Sequence, residues 1–187
     1  MRHYSIVVPP TIEPVSVDEA RAYLKISVDD PAQDTLLAMM IKAARRAVEN
    51  YTRLALAEQT INFVTNEHLR STWVSAPLAS VTTILAAFAI DQRGNKSIID
   101  ESKINLVDGD VPNRYFVFDG TLSSSCDLLR VSHVVNCVTE VPDALKIGVL
   151  RQVAWLYDHR DDLSLERETV LERGVRELLE PYRWVSL

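Results

Sequence analysis

Residues 14–26 read Pro14-Val15-Ser16-Val17-Asp18-Glu19-Ala20-Arg21-Ala22-Tyr23-Leu24-Lys25-Ile26, and this stretch decides how the fold begins. Ser16 and Glu19 form a capping box: the Ser16 hydroxyl can accept from the Glu19 amide while the Glu19 carboxylate reaches back to the Ser16 amide. Pro14 prevents an earlier helix start, and Asp18 and Glu19 suit the positive N-terminal end. Ala20, Tyr23, Leu24 and Ile26 supply one apolar face. The spacing predicts a short helix ending near Lys25.

A second start signal follows at once. Asp30 serves as cap, Pro31 as first helical residue and Gln33 closes a box. Leu37, Met40, Ile41, Ala44, Val48 and Tyr51 then recur at three- and four-residue steps, while Lys42, Arg46, Glu49 and Arg53 fall nearly opposite. Residues 31–53 are therefore expected to form one amphipathic helix.

Beyond it the period changes to two. Thr60–Thr65 alternates, with Ile61, Phe63 and Thr65 on one face. Ser80–Ile90 is rich in Val, Thr, Ile and Phe, and Asp91-Gln92-Arg93-Gly94-Asn95 reads as a turn. Ser97–Ile99, Ile104–Val107, Tyr115–Phe118 and Leu128–Val135 are further strand candidates, giving five to seven strands. Their connections are too short for crossovers, so mostly antiparallel pairing is expected.

Helix returns at Pro142. Leu145, Val149, Val153 and Leu156 mark one face and Ile147, Leu150, Ala154 and Tyr157 its neighbour, an arc wide enough to pack on more than one side. A last helical stretch over Leu171–Leu179 is punctuated by Gly174 and stopped by Pro181. The expected architecture is α+β, one domain over 1–187. A body of about four helices (14–56 and 141–187) would carry an inserted antiparallel β-lobe (57–138).

Composition narrows the function classes. At 187 residues, 47% hydrophobic and 25% charged, with 5 Gly and 8 Pro, the chain is neither collagen-like nor disordered in composition. It is long enough to bury about 70% of its unfolded surface without a staple. The longest apolar runs, such as Ile84–Ile90, fall far short of a bilayer span, and the N-terminal apolar stretch meets Pro9-Pro10 too soon for a signal peptide. No membrane association is expected. Cys126 and Cys137 have no Cys or His at ligand spacing and are expected to be reduced and buried, although a disulfide between them is geometrically allowed. The net charge of −6 is uneven. Residues 1–35 carry three bases against six acids and residues 158–187 five against eight, whereas 36–56 carry Lys42, Arg45, Arg46 and Arg53 against Glu49 alone. Such an acidic chain is poorly suited to free-standing duplex binding.

Catalytic signatures are missing where they would be needed. His159-Arg160-Asp161 matches three letters of a kinase catalytic loop, but no Gly-rich loop, strand lysine or Asp-Phe-Gly accompanies it; a polar helix end explains it better. The pairs Asp29-Asp30 and Asp161-Asp162 read as solvated loop acids, and Asp108-Gly109-Asp110 lacks the rest of a calcium ladder. His3, His68, His133 and His159 are scattered, and no nucleophile elbow occurs. Neither catalysis nor a metal or other cofactor is expected.

Two surfaces stand out instead. Lys42, Arg45, Arg46 and Arg53 form a basic face, read either as a solvated helix face paired locally to Glu49 or as an inter-subunit contact. After Pro181 the chain runs Tyr182-Arg183-Trp184-Val185-Ser186-Leu187. Tyr182, Arg183, Trp184, Val185 and Leu187 read as an apolar docking tail of the kind found at interface hot spots; the alternative is that Trp184 and Leu187 fold back on the chain's own core.

The 14–26 stretch resembles the opening signature of tailed-phage head–tail connector (adaptor) proteins. The similarity continues through Leu37, Ile41, Ala44, Val48, Glu49, Tyr51 and Thr52, then Ala55-Leu56, Gln59-Thr60, Pro77-Leu78 and Ser80-Val81-Thr82. It ends at Val141-Pro142-Asp143-Ala144-Leu145 and Leu178-Leu179-Glu180-Pro181-Tyr182-Arg183. Two departures fall at turns: Arg53-Leu54 where the family often has glycine, and Val135-Asn136-Cys137 where a Gly-Tyr pair is common. The resemblance implies a ring, typically dodecameric, at the DNA-exit vertex of a phage or gene transfer agent particle, made in the bacterial cytoplasm. Its implied partners are further copies of itself, the portal protein, to which the C-terminal tail would dock, and stopper or tail proteins. DNA would pass through the ring without sequence-specific binding, and an acidic balance would keep it from sticking. The alternative reading is a small helical regulator or adaptor acting on DNA or a host protein.

Overall fold

A computed structural model describes residues 2–27, 31–66, 73–108, 114–118, 126–136, 140–160 and 171–183. The chain divides into two compact units, one of strands and one of helices.

The strand unit takes residues from 1–11 and 57–138. Its strands are β1 (Arg2–Val8), β2 (Gln59–Thr65), β3 (Trp73–Ser75), β4 (Val81–Asp91), β5 (Lys96–Ile99), β6 (Ile104–Asp108), β7 (Arg114–Phe118) and β8 (Cys126–Val135). They form a five-stranded sheet in the order β1-β2-β8-β4-β5 and a three-stranded sheet in the order β3-β7-β6. All pairings are antiparallel. The predicted alternation of β2 holds: Ile61, Phe63 and Thr65 are buried while Asn62 and Val64 are not. β8 alternates in the same way, burying Leu129, Val131, His133 and Val135. Paired residues of antiparallel strands share a face, so Ile61, His133 and Ile84 lie in one row across β2, β8 and β4. The turn after β4 forms as its residues predict. Asp91 accepts from the Arg93 and Asn95 amides at 2.8 Å each, and Gly94 takes the positive φ of 83° that a side chain would resist.

Two strands escaped the sequence reading. Arg2–Val8 was expected only as a short apolar stretch, yet it pairs along β2 from Arg2↔Thr65 to Val8↔Thr60 and so belongs with the strands. Trp73–Ser75 pairs with Val117–Tyr115 over three residues, too few to display a period.

The helical unit holds α1 (Val17–Leu24), α2 (Pro31–Thr52), α3 (Asp143–Asp158) and α4 (Arg173–Leu179), followed by a 3₁₀ turn at Glu180–Tyr182. The capping box is complete: the Ser16 amide donates to Glu19 Oε2 at 2.7 Å and the Glu19 amide to Ser16 Oγ at 3.1 Å. Tyr23 departs from the expected apolar face and is 43% exposed, leaving Ala20 as the buried residue of α1. Leu37, Ile41, Ala44 and Val48 of α2 meet Leu145, Val149 and Val153 of α3 and Leu171, Val175 and Leu179 around α4. Each fully buried Leu, Ile or Val contributes about 1.5–3 kcal/mol. α3 packs on α2, α4 and α1, as its wide arc required. Gly148 lets α4 approach, since a Cβ there would stand 2.9 Å from Leu179 Cδ2. Gln152, wholly buried, accepts from the Glu172 amide at 2.9 Å, and the Glu172 carboxylate caps α4 by accepting from Gly174 and Val175 at 2.8 Å each. Those amide bonds hold its carboxyl below the ordinary range. Pro181 sits inside the 3₁₀ turn that ends the helix.

Candidate interaction surfaces

The four bases of α2 do not share one environment. Lys42, Arg46 and Arg53 are exposed, but Arg45 is buried with 5% of its surface accessible. Arg45 Nε donates to Glu13 Oε2 at 2.7 Å and Nη1 to Glu49 Oε2 at 2.6 Å. Glu49 is itself 2% exposed, and its Oε1 accepts the Leu56 amide at 2.9 Å. Arg45 therefore leaves the predicted basic face and Glu49 leaves the solvated one. A charge this deeply buried needs partners at short range, and Glu13 and Leu56 bring them from segments on either side of the helix. Thr52, the last residue of α2, donates its Oγ1 to the Val48 carbonyl at 2.8 Å and accepts the Leu54 amide at 3.3 Å. Arg53 takes a left-handed φ of 62° at the turn that follows α2, a conformation that favours glycine.

With Arg45 removed, the outward stripe of α2 runs Thr35, Met39, Lys42, Arg46 and Asn50, all exposed and three or four residues apart. Met39, 56% exposed, and Thr35 were missed by the sequence reading. The apolar period counts Met39 and Met40 alike, and only packing separates them. Neither Lys42 nor Arg46 is in an ion pair among the described residues.

Two of the five predicted tail residues are placed. Tyr182 packs partly buried against the helical core, and the Arg183 guanidinium lies 5.2 Å from the Tyr51 ring centroid and 3.7 Å from Glu180 Oε1. Tyr51 donates its hydroxyl to Glu180 Oε2, and that bond raises the phenol pKa. Tyr182 and Arg183 are thus held on the helical unit, while Trp184 and Leu187, on which the fold-back alternative rests, lie with Val185 outside the described residues.

His159 and Arg160 have structural partners. His159 Nδ1 lies 2.8 Å from the Trp155 carbonyl oxygen and its ring stacks on Trp155 at 4.7 Å; Arg160 Nη1 donates to the Tyr157 carbonyl at 2.9 Å. Both side chains sit against carbonyls of the last turn of α3, where polar and basic groups suit a helix C-terminus. Asp161 and Asp162 lie outside the described residues, as do Asp29, Asp30, His68, Gly109, Asp110 and Cys137. His133 is fully buried, meets Phe116 edge-on at 5.0 Å, and its Nε2 has no hydrogen-bond partner among the described residues. Burial pushes its imidazole down to about 4, against a weaker pull from the Val131 carbonyl. No group of three or more His, Cys, Asp or Glu among the described residues could hold a metal ion, and no described helix is long and apolar enough to cross a membrane.

Three comparisons bear on these surfaces. A family model described as Phage gp6-like head-tail connector protein matches residues 14–115, more than half of the chain. Among solved structures the fold is similar to a chain in "Virion of native gene transfer agent (GTA) particle", at TM-score 0.73 and 20% identity, covering 98% of this chain and 96% of that one. It is similar to a chain in "Neck of empty GTA particle computed with C6 symmetry" at TM-score 0.72 and 21% identity, covering 100% and 97%. A third, in "Neck of native GTA particle computed with C12 symmetry", gives TM-score 0.69 and 22% identity, again covering 100% and 97%. A comparison with curated proteins finds no match.

Proposed function

Because the chain belongs to the Phage gp6-like head-tail connector family, we propose that it is a structural part of a particle neck. In this reading copies form a ring that joins the portal vertex of a phage-like capsid to stopper or tail components and extends the DNA channel. The observation that carries the reading is the family match over residues 14–115; the fold likeness to neck chains over the full length supports it. The C6 and C12 symmetry of those necks favours a ring of even copy number. The protein then works in the virion or virus-like particle, through surfaces and without catalysis, and DNA passes it without sequence readout.

Within this reading Lys42, Arg46 and Arg53 serve contacts between subunits. Trp184, Val185 and Leu187 dock into the portal, with Tyr182 and Arg183 as the anchored root of that tail. Anchoring the root lowers the entropy lost when a short segment docks. The test is co-sedimentation of the purified chain with the particle's portal protein. The full chain should enter a large ring with portal, and a chain ending at Arg183 should fold but fail to bind. Binding by the truncated chain would overturn the tail assignment. A full chain that never joins portal would favour the regulator reading.

A further inference from the structure

We propose that the outward stripe of α2 takes the acid-and-aromatic face of α1 from a second copy of this chain; the inference rests on the ring reading above. The α2 stripe offers exposed Met39 one turn before Lys42, with Arg46 a turn beyond, spread with Thr35 and Asn50 over about 22 Å of helix. It carries no acid. The exposed face of α1 offers the opposite: Asp18, Glu19, Ala22 and Tyr23. Asp18 is 87% exposed at its side chain and Tyr23 is 43% exposed. Four carboxylates lie on or beside this face (Asp18, Glu19, Asp34 and Glu140) against three cations: Arg21, which pairs with both aspartates, Lys146, which acts on Glu19 and pairs with Glu140, and exposed Lys25 at the end of α1. The patch therefore keeps a negative surplus after its internal pairing.

Each patch combines charge with an apolar group one turn away: Glu19 with Tyr23 on α1, Lys42 with Met39 on α2. Opposite charges select the partner and the apolar pair supplies desolvated contact. Both patches face away from their own core, because α1 buries Ala20 and α2 buries Leu37, Ile41, Ala44 and Val48. Two unlike patches on one chain make a heterologous contact, the kind that closes into rings, whereas a self-complementary patch would stop at a dimer. Met39 and the net charge of −6 make duplex DNA a poor occupant of the same stripe.

The test reverses each patch in the full-length chain. Lys42→Glu with Arg46→Glu makes both patches acidic; Asp18→Lys with Ala22→Lys makes both basic and leaves the Ser16–Glu19 box untouched. Native mass spectrometry, alone and with portal protein, should show each double variant losing assembly more than tenfold relative to the unaltered chain. An equimolar mixture should restore even-numbered rings in which the two variants alternate. Circular dichroism shows whether each variant is folded. Assembly by either folded variant alone, or failure of the mixture, would overturn the inference. Loss of DNA binding by Lys42→Glu/Arg46→Glu with assembly intact would also overturn it. If the unaltered chain forms no ring with or without portal, the ring reading itself is wrong.

Discussion

Acidification should unfold the strand unit chiefly through one side chain. His133 sits on β8 between Ile61 and Ile84, edge-on to Phe116, with no water-facing surface. In the unfolded chain its imidazole binds a proton near 6.5; in the folded chain it does so only near 4. Between those values the unfolded state holds more protons, so stability present above 6.5 is lost as the pH falls toward 4. The full loss below the folded value is about 3 kcal/mol, from 1.36 kcal/mol per pKa unit, and about 2.5 kcal/mol is gone by pH 4.5. The variant His133→Leu keeps the bulk and removes the titration. Because the imidazole Nε2 has no partner among the described residues, the leucine should cost little at pH 7. Urea unfolding of both proteins at pH 7 and 4.5 isolates the effect, since carboxylates contribute equally to each. The unaltered protein should lose about 2.5 kcal/mol more than the variant over this interval. Equal losses, or a folded-state His133 that titrates near 6.5 by NMR, would refute the reasoning.

Three further outcomes follow from the helical unit. Arg45→Met strands the Glu49 charge and should cost about 3–5 kcal/mol by urea unfolding; a cost under 1 kcal/mol would return Arg45 to the solvated face. Arg53→Gly relieves the left-handed turn and should raise stability by up to about 1 kcal/mol, read as a higher thermal midpoint, while weakening any contact that uses the arginine. Gly148→Ala pushes into Leu179 and should cost about 1–3 kcal/mol, with α4 amides exchanging faster than those of α2.

How much could be read in advance depended on whether the deciding contacts were local. The Ser16–Glu19 box, the α2 period and the β2 alternation involve residues within a few positions of one another, and all appear where expected. Arg45 was misplaced because its fate is set by Glu13, thirty-two positions earlier and in no periodic segment. β1 was missed because its partner lies more than fifty residues along, and Val7 and Val8 are both exposed, so no clean alternation shows. The positive φ at Arg53 could not be read from the residue itself, because arginine carries no local signal for a left-handed turn. The stripe that carries Met39 became visible only once packing had separated it from Met40.

The central claim is that this chain joins capsid to tail. The most direct measurement removes it from the cells that build the particle and counts the products by electron microscopy. The account predicts capsids and free tails in normal number but unjoined, with joining restored when the purified chain is added back. Joined particles at the usual frequency without it would contradict the account.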